Sequence, residues 1–159
     1  MQVAGRAGRG DKPGEVLIQT AFPQHALFAA LRKQNYAEFA DELLQERMAM
    51  QFPPATYIAV MKAEASDYSL VERFLTDFSH AARQYVSEQA ATLADLPLIY
   101  DPVRPGLAKL NRMERGYVML QSAHRGALQQ LLQVAVEWLK AHPLQAKIRW
   151  VVDVDAMEY

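Results

Sequence analysis

The spacing of apolar positions changes along this chain, and the changes mark its elements. From Gln24 to Gln51 the spacing is helical: Leu27, Phe28 and Leu31 make a short stripe, and Tyr36, Phe39, Ala40, Leu43, Leu44 and Met48 a longer one, with Gln34 and Asn35 separating two helices. Ahead of them, the glycine- and arginine-rich stretch Gln2 to Gly14 reads as a loop and Glu15 to Thr20 as a strand. The Phe52-Pro53-Pro54 step cannot continue a helix, because proline lacks the amide donor and disfavours helical geometry in the residue before it. That step divides the chain into a leading segment, residues 1–51, and a terminal domain, residues 55–159.

Within the terminal domain the order reads strand, helix, strand, strand, helix, strand. Tyr57 to Ala63 is the first strand, and Ser66 is the expected N-cap of a long helix. The buried face of that helix carries Leu70, Val71, Phe74, Leu75, Phe78, Ala81, Ala82, Tyr85 and Val86 at spacings of three and four. Leu98 to Tyr100 and Leu107 to Met113 form a strand region interrupted by Pro102 and Pro105, with Gly116 to Gln121 returning beside it across a Glu114-Arg115 turn. Ser122 is expected to cap a second helix that buries Leu128, Leu131, Leu132, Ala135, Val136 and Leu139 and ends before Pro143. In the closing strand Ile148, Trp150, Val152 and Val154 alternate with Arg149, Val151, Asp153 and Asp155. A two-layer α/β (α+β) sandwich, two helices on one face of a four-stranded antiparallel sheet, buries these stripes most economically. Phe74, Phe78, Trp138 and Trp150 are expected in its core.

Composition narrows the function classes. Hydrophobic residues make up 51% and charged residues 22%, the balance of a globular chain with a real core. The net charge of -1 gives no global attraction to nucleic acid, so any such contact needs a local patch. The absence of cysteine removes disulfides and thiolate zinc sites, and no run reaches the roughly 20 apolar residues of a membrane span. A cytoplasmic location, with no membrane partner, is the resulting expectation. His25, His80, His124 and His142 lack ligand spacing, and Asp153 with Asp155 makes too poor an oxygen set for a hard cation, so no metal site is expected.

The segment Gln2-Val3-Ala4-Gly5-Arg6-Ala7-Gly8-Arg9-Gly10 carries the strongest chemical signal. Glycines let backbone approach a ligand closely, and planar guanidinium forks spaced by three can bind phosphate oxygens bidentately and neutralise charge on a transferring phosphoryl group. Composition alone also fits a flexible basic tail. The order Q-x-x-G-R-x-G-R followed by a strand resembles motif VI of superfamily-2 helicases. Together with Gly14-Glu15-Val16-Leu17-Ile18-Gln19-Thr20, Tyr36-Ala37, Phe39, Glu46-Arg47, Phe52-Pro53-Pro54 and Arg149-Trp150-Val151-Val152-Asp153-Val154-Asp155, it looks like the bacterial PriA family (primosomal protein N′) of replication-restart helicases. The likeness runs the length of the chain, though Glu64 to Pro97 matches only in pattern. Ala156 stands where the family usually has proline, and Tyr100 precedes Asp101-Pro102 where glycine or alanine is commoner.

The resemblance implies the C-terminal part of an ATP-dependent 3′-to-5′ DNA helicase that acts at abandoned replication forks. Arg6 and Arg9 would be arginine-finger residues, Gln2, Gly5 and Gly8 would face ATP, and residues 1–51 would be the remnant of the second helicase lobe. ATP, magnesium and zinc belong to the parent protein, since this chain holds no phosphate loop, no acidic magnesium box and no zinc-binding cysteines; alone it should be inactive. Forked DNA and other primosome proteins would be partners. Arg125 and Gln129, four apart on one helix face, would help dock the acidic tail of single-stranded-DNA-binding protein, although spacing alone favours a solvated helix edge. Arg104, Lys109, Arg112 and Arg115 on the hairpin form a candidate DNA-phosphate cluster or simply a charged surface. The rival reading is a free-standing two-layer binding module without enzymatic activity; an RNA-recognition module would show more strand aromatics than Tyr117. With partner strands missing, residues 15–20 should be sticky and Met1 to Lys12 disordered.

Overall fold

The computed structural model describes residues 16–33, 35–91, 95–106, 109–110 and 112–156; the expectations for Met1 to Lys12 fall outside them. The chain divides into two compact units, Met1–Met50 and Gln51–Tyr159.

In the first unit, α1 (Ala26–Lys33) and α2 (Tyr36–Ala49) are separated where the sequence predicts. Asn35 starts α2 by a reciprocal exchange with Glu38: its Oδ1 accepts from the Glu38 amide at 3.2 Å and its Nδ2 donates to the Glu38 carboxylate at 2.7 Å. Neither helix buries a residue among those described. The strand expected at 15–20 is not formed over Val16–Thr20, which is irregular, with Val16, Leu17 and Ile18 exposed. Strand propensity alone cannot hold extended backbone; it needs a ladder partner, and no described strand lies beside it.

The second unit is the two-layer sandwich. Strand β1 (Tyr57–Ala65) lies between β4 (Met113–Ser122) and β5 (Arg149–Val154), antiparallel to both. The far flank of β4 is shared by successive short pieces: β2 (Leu98–Ile99), a bridge at Val103, and β3 (Lys109–Leu110). Pro102 and Pro105 break this edge because each lacks a ladder donor, so the sheet is four strands wide. Two expected details change. Arg112, at φ 66°, lies in the hairpin turn, so Glu114 and Arg115 are strand residues. Strand β1 also runs to Ala65, two residues past the expected end.

Helices α3 (Tyr68–Glu88) and α4 (Arg125–Ala141) cover one face of the sheet. Asp67, not Ser66, caps α3, its carboxylate accepting from the Ser69 amide at 2.9 Å. That hydrogen bond, reinforced by the Ser69 hydroxyl, holds the Asp67 pKa below its ordinary value. Phe74, Phe78 and Leu75 of α3 and Leu128, Leu131 and Leu139 of α4 are fully buried, each contributing about 1.5–3 kcal/mol by leaving water. Trp138 and Trp150 pack at the margin of this core. Small residues beneath the helices, Ala59, Ala63, Ala65 and Gly116, let them sit close to the sheet.

A buried polar knot fixes the start of this unit. The Gln121 amide donates to Gln51 O at 2.5 Å and to Thr56 Oγ1 at 2.9 Å, while its oxygen accepts from the Tyr100 hydroxyl at 2.6 Å. The Phe52-Pro53-Pro54 step is thereby tied to β4, and the side-chain amide exchanges water for three protein partners, a requirement for burying it.

Candidate functional site

Strand β4 ends at Ser122 and α4 begins at Arg125, so two residues must reverse the chain. The Ser122 hydroxyl accepts from the His124 amide at 3.1 Å, and Asp95 Oδ2 accepts from the Ala123 amide at 3.0 Å. His124, rather than Ser122, is the N-cap, and its side chain makes no capping bond. The first amides of a helix have no carbonyl within it, and the dipole is positive there, so this end favours a negative group.

Arg125 stands at that end, its side chain 64% exposed. The guanidinium lies 3.7 Å from Asp155 Oδ2 and 5.9 Å from the centroid of the Tyr57 ring. Gln129 follows one turn later, half-buried on the same helix face. Between them Gly126 leaves open space, since a Cβ built there meets nothing within 4 Å. Tyr57, Arg125 and Gln129 thus make a shelf with an aromatic wall, a cation and an amide. The Arg125–Asp155 pair is exposed and long, so it contributes no more than about 1 kcal/mol and yields readily to a better-placed carboxylate. Neither Tyr57 nor Asp155 was linked to Arg125 from the sequence; both are brought to it by strand register, with the Asp155 amide donating to Ile58 O at 2.9 Å.

Arg104 and Arg115 of the hairpin are not gathered into one cluster. Arg104 donates to Glu114 Oε2 at 2.9 Å and stacks 4.2 Å from the Tyr68 ring centroid, beside the start of α3. Arg115, next to Glu114 in β4, faces the opposite side of the sheet, 3.7 Å from Glu64 Oε2. Arg112 is exposed in the turn, and Lys109 pairs through its backbone with Glu114. The face away from the helices instead carries a cleft of about 700 Å³ whose lining includes Lys62, Glu64, Arg115, Tyr117, Arg149 and Val151. Glu64 bridges Arg115 and Arg149, the latter at 2.9 Å, and Lys62 donates to Asp153 at 2.8 Å. Arg149 was legible as a polar position on the outward face of its strand, but its meeting with Glu64 depends on the β1–β5 register.

Gln2, Gly5, Arg6, Gly8 and Arg9 lie outside the described residues. Among the described residues no three His, Asp or Glu side chains converge to hold a metal ion, and the chain has no cysteine. No described helix is long and apolar enough to cross a membrane.

Comparison with known proteins places this geometry in a lineage. Residues 48–157 match the family described as primosomal protein N C-terminal domain. The replication restart protein PriA of Haemophilus influenzae is 36% identical over 159 residues, 99% of this chain and 20% of the relative. PriA of Chlamydia trachomatis is 30% identical over 157 residues, 97% of this chain and 19% of the relative. PriA of Synechocystis sp. is 30% identical over 96 residues, 60% of this chain and 12% of the relative. The chain spans about a fifth or less of the length of these relatives.

Proposed function

The chain belongs to the primosomal protein N C-terminal domain family, and from that premise we propose that it is the terminal part of a replication-restart protein whose α4 shelf docks an acidic peptide through its free carboxylate. The peptide is the C-terminal tail of single-stranded-DNA-binding protein. The observation that carries this is the joining of Arg125, Tyr57 and Gln129 at a helix N-terminus, where Asp155 already holds the position of a carboxylate. Arginine offers a planar fork that a carboxylate fills bidentately, the Gln129 amide can donate to a second oxygen or to peptide backbone, and Tyr57 presents an apolar wall beside them. Charge-assisted bonds of this kind contribute about 1.5–3 kcal/mol each. In a fluorescence-polarisation titration with the labelled tail peptide, Arg125→Glu should abolish binding while leaving the melting temperature unchanged; unaltered affinity would remove the shelf from this reading.

The parent protein in this reading is an ATP-dependent 3′-to-5′ DNA helicase and ATP hydrolase acting in the cytoplasm with other primosome proteins. Gln2, Gly5, Arg6, Gly8 and Arg9 belong to the nucleotide site of that parent, where Arg6 and Arg9 would neutralise negative charge on the phosphates of magnesium-bound ATP. Forked DNA is met by the cations that the fold leaves toward solvent or the cleft: Arg112, Arg115 and the neighbouring Arg149. Arg104, paired with Glu114 and stacked on Tyr68, serves the fold instead.

A further inference from the structure

Strand β5 is an edge strand: it pairs with β1 on one side and, among the described residues, with nothing on the other. Its six residues contain no proline and no positive φ before Asp155, so the edge is regular over its whole length. The direction of its backbone groups follows from one bond. The Asp155 amide donates to Ile58 O, one step beyond the Ala59–Val154 pair. In an antiparallel ladder such pairs alternate, so Arg149, Val151 and Asp153 turn their amides and carbonyls toward β1. Trp150, Val152 and Val154 turn theirs to the free edge.

Regular edges are normally protected by charges that repel an incoming strand. Here the two charged side chains of β5 have opposite signs and stand symmetrically about Val151: Arg149 two residues before it, Asp153 two residues after. A second copy of the strand, laid antiparallel with Val151 opposite Val151, therefore meets Arg149 with Asp153 and Asp153 with Arg149. This is also the register in which the outward backbone groups match. Trp150 and Val152 exchange amide and carbonyl across the edge, and the charged residues occupy the closer, non-hydrogen-bonded positions. Val151 is 54% exposed and the Arg149 side chain 82% exposed, so both are available to a partner.

We propose that this chain self-associates through β5 into an isologous two-fold dimer with a continuous antiparallel sheet, sealed by reciprocal Arg149–Asp153 pairs. The two-fold axis stands perpendicular to the sheet, so both helical layers lie on one side and both clefts lie next to each other on the other side. A partner strand without an acid and a base four residues apart would meet at least one of these charges without its complement.

Sedimentation equilibrium on the chain tests this. The wild type should pass from monomer to dimer with concentration into the high micromolar range. Arg149→Asp and Asp153→Arg each place like charges at both symmetric positions and should weaken dimerisation about tenfold or more. An equimolar mixture of the two variants should dimerise as heterodimers near the wild-type affinity. So should the double variant Arg149→Asp/Asp153→Arg, although its internal contacts to Glu64 and Lys62 stay reversed in sign. Far-UV circular dichroism checks that each variant is folded before it is weighed. A wild type that stays monomeric throughout, single variants that associate like the wild type, or a mixture no more associated than its components would overturn the proposal.

Discussion

At Gly116 helix α3 approaches the sheet closely, and adding one methyl group there has a calculable effect. A Cβ at this position would stand 2.7 Å from Leu75 Cδ1 and 3.0 Å from Val71 Cγ1. Carbon pairs rest at about 3.5–4.0 Å, so each contact is short by roughly half an ångström to an ångström. Neither neighbour can swing into solvent, since Leu75 is 1% and Val71 0% exposed. Overpacking of this kind costs about 1–3 kcal/mol. Two short contacts to buried neighbours put that cost in the upper half of the range, about 2–3 kcal/mol, and alanine recovers about 0.5–1 kcal/mol by restricting the unfolded chain, so the net loss for Gly116→Ala is about 1–2.5 kcal/mol. In a domain of this size that lowers the melting temperature by roughly 3–8 °C. Equilibrium urea unfolding followed by far-UV circular dichroism reads the loss directly. Trimming the opposing side chain should relieve it, so Gly116→Ala/Val71→Ala should be more stable than the sum of the two single losses. A Gly116→Ala variant as stable as the wild type, or strict additivity with Val71→Ala, would refute the close-approach argument.

Other consequences can be checked separately. Asp67 caps α3 with a lowered pKa, so its ionised form adds stability that is complete above the ordinary carboxylate value of about 4 and is lost as pH falls through the lowered one. Asp67→Asn keeps a capping oxygen but cannot titrate; thermal melts from neutral to acid pH should show a shallower acid decline than in the wild type, and parallel declines would mean Asp67 is not a linked group. For DNA, Arg115→Ala and Arg149→Ala should each reduce the slope of log affinity against log salt by up to about 0.9, whereas Arg104→Ala should leave it unchanged. Equal slopes for Arg104→Ala and Arg115→Ala in a branched-DNA titration would undo the division between them.

The alternation of β5 and the three-and-four spacing of α3 were legible because each element buries one face against a single core, and burial writes its period into the sequence. Cap positions were less legible: Ser66 and Asp67 are both good caps, and the choice falls to the residue whose oxygen reaches the Ser69 amide. The Val16–Thr20 run had strand composition without a strand, because a ladder is a property of two segments and composition reports on one of them. The same limit governs the sites. Arg125 and Gln129 share a helix, so spacing alone joins them, but Tyr57 and Asp155 reach Arg125 only through pairing across distant strands. Arg104 and Arg115 looked like neighbours in a cationic ribbon until strand alternation placed them on opposite faces.

That the α4 shelf reads a terminal carboxylate is tested most directly by calorimetric titration of the acidic tail peptide in two forms, one with a free C-terminal carboxylate and one amidated, against the unmodified chain. Loss of charge-assisted bonds to Arg125 should weaken the amidated peptide at least about tenfold. Equal affinity for the two forms would mean that the shelf does not recognise the carboxylate.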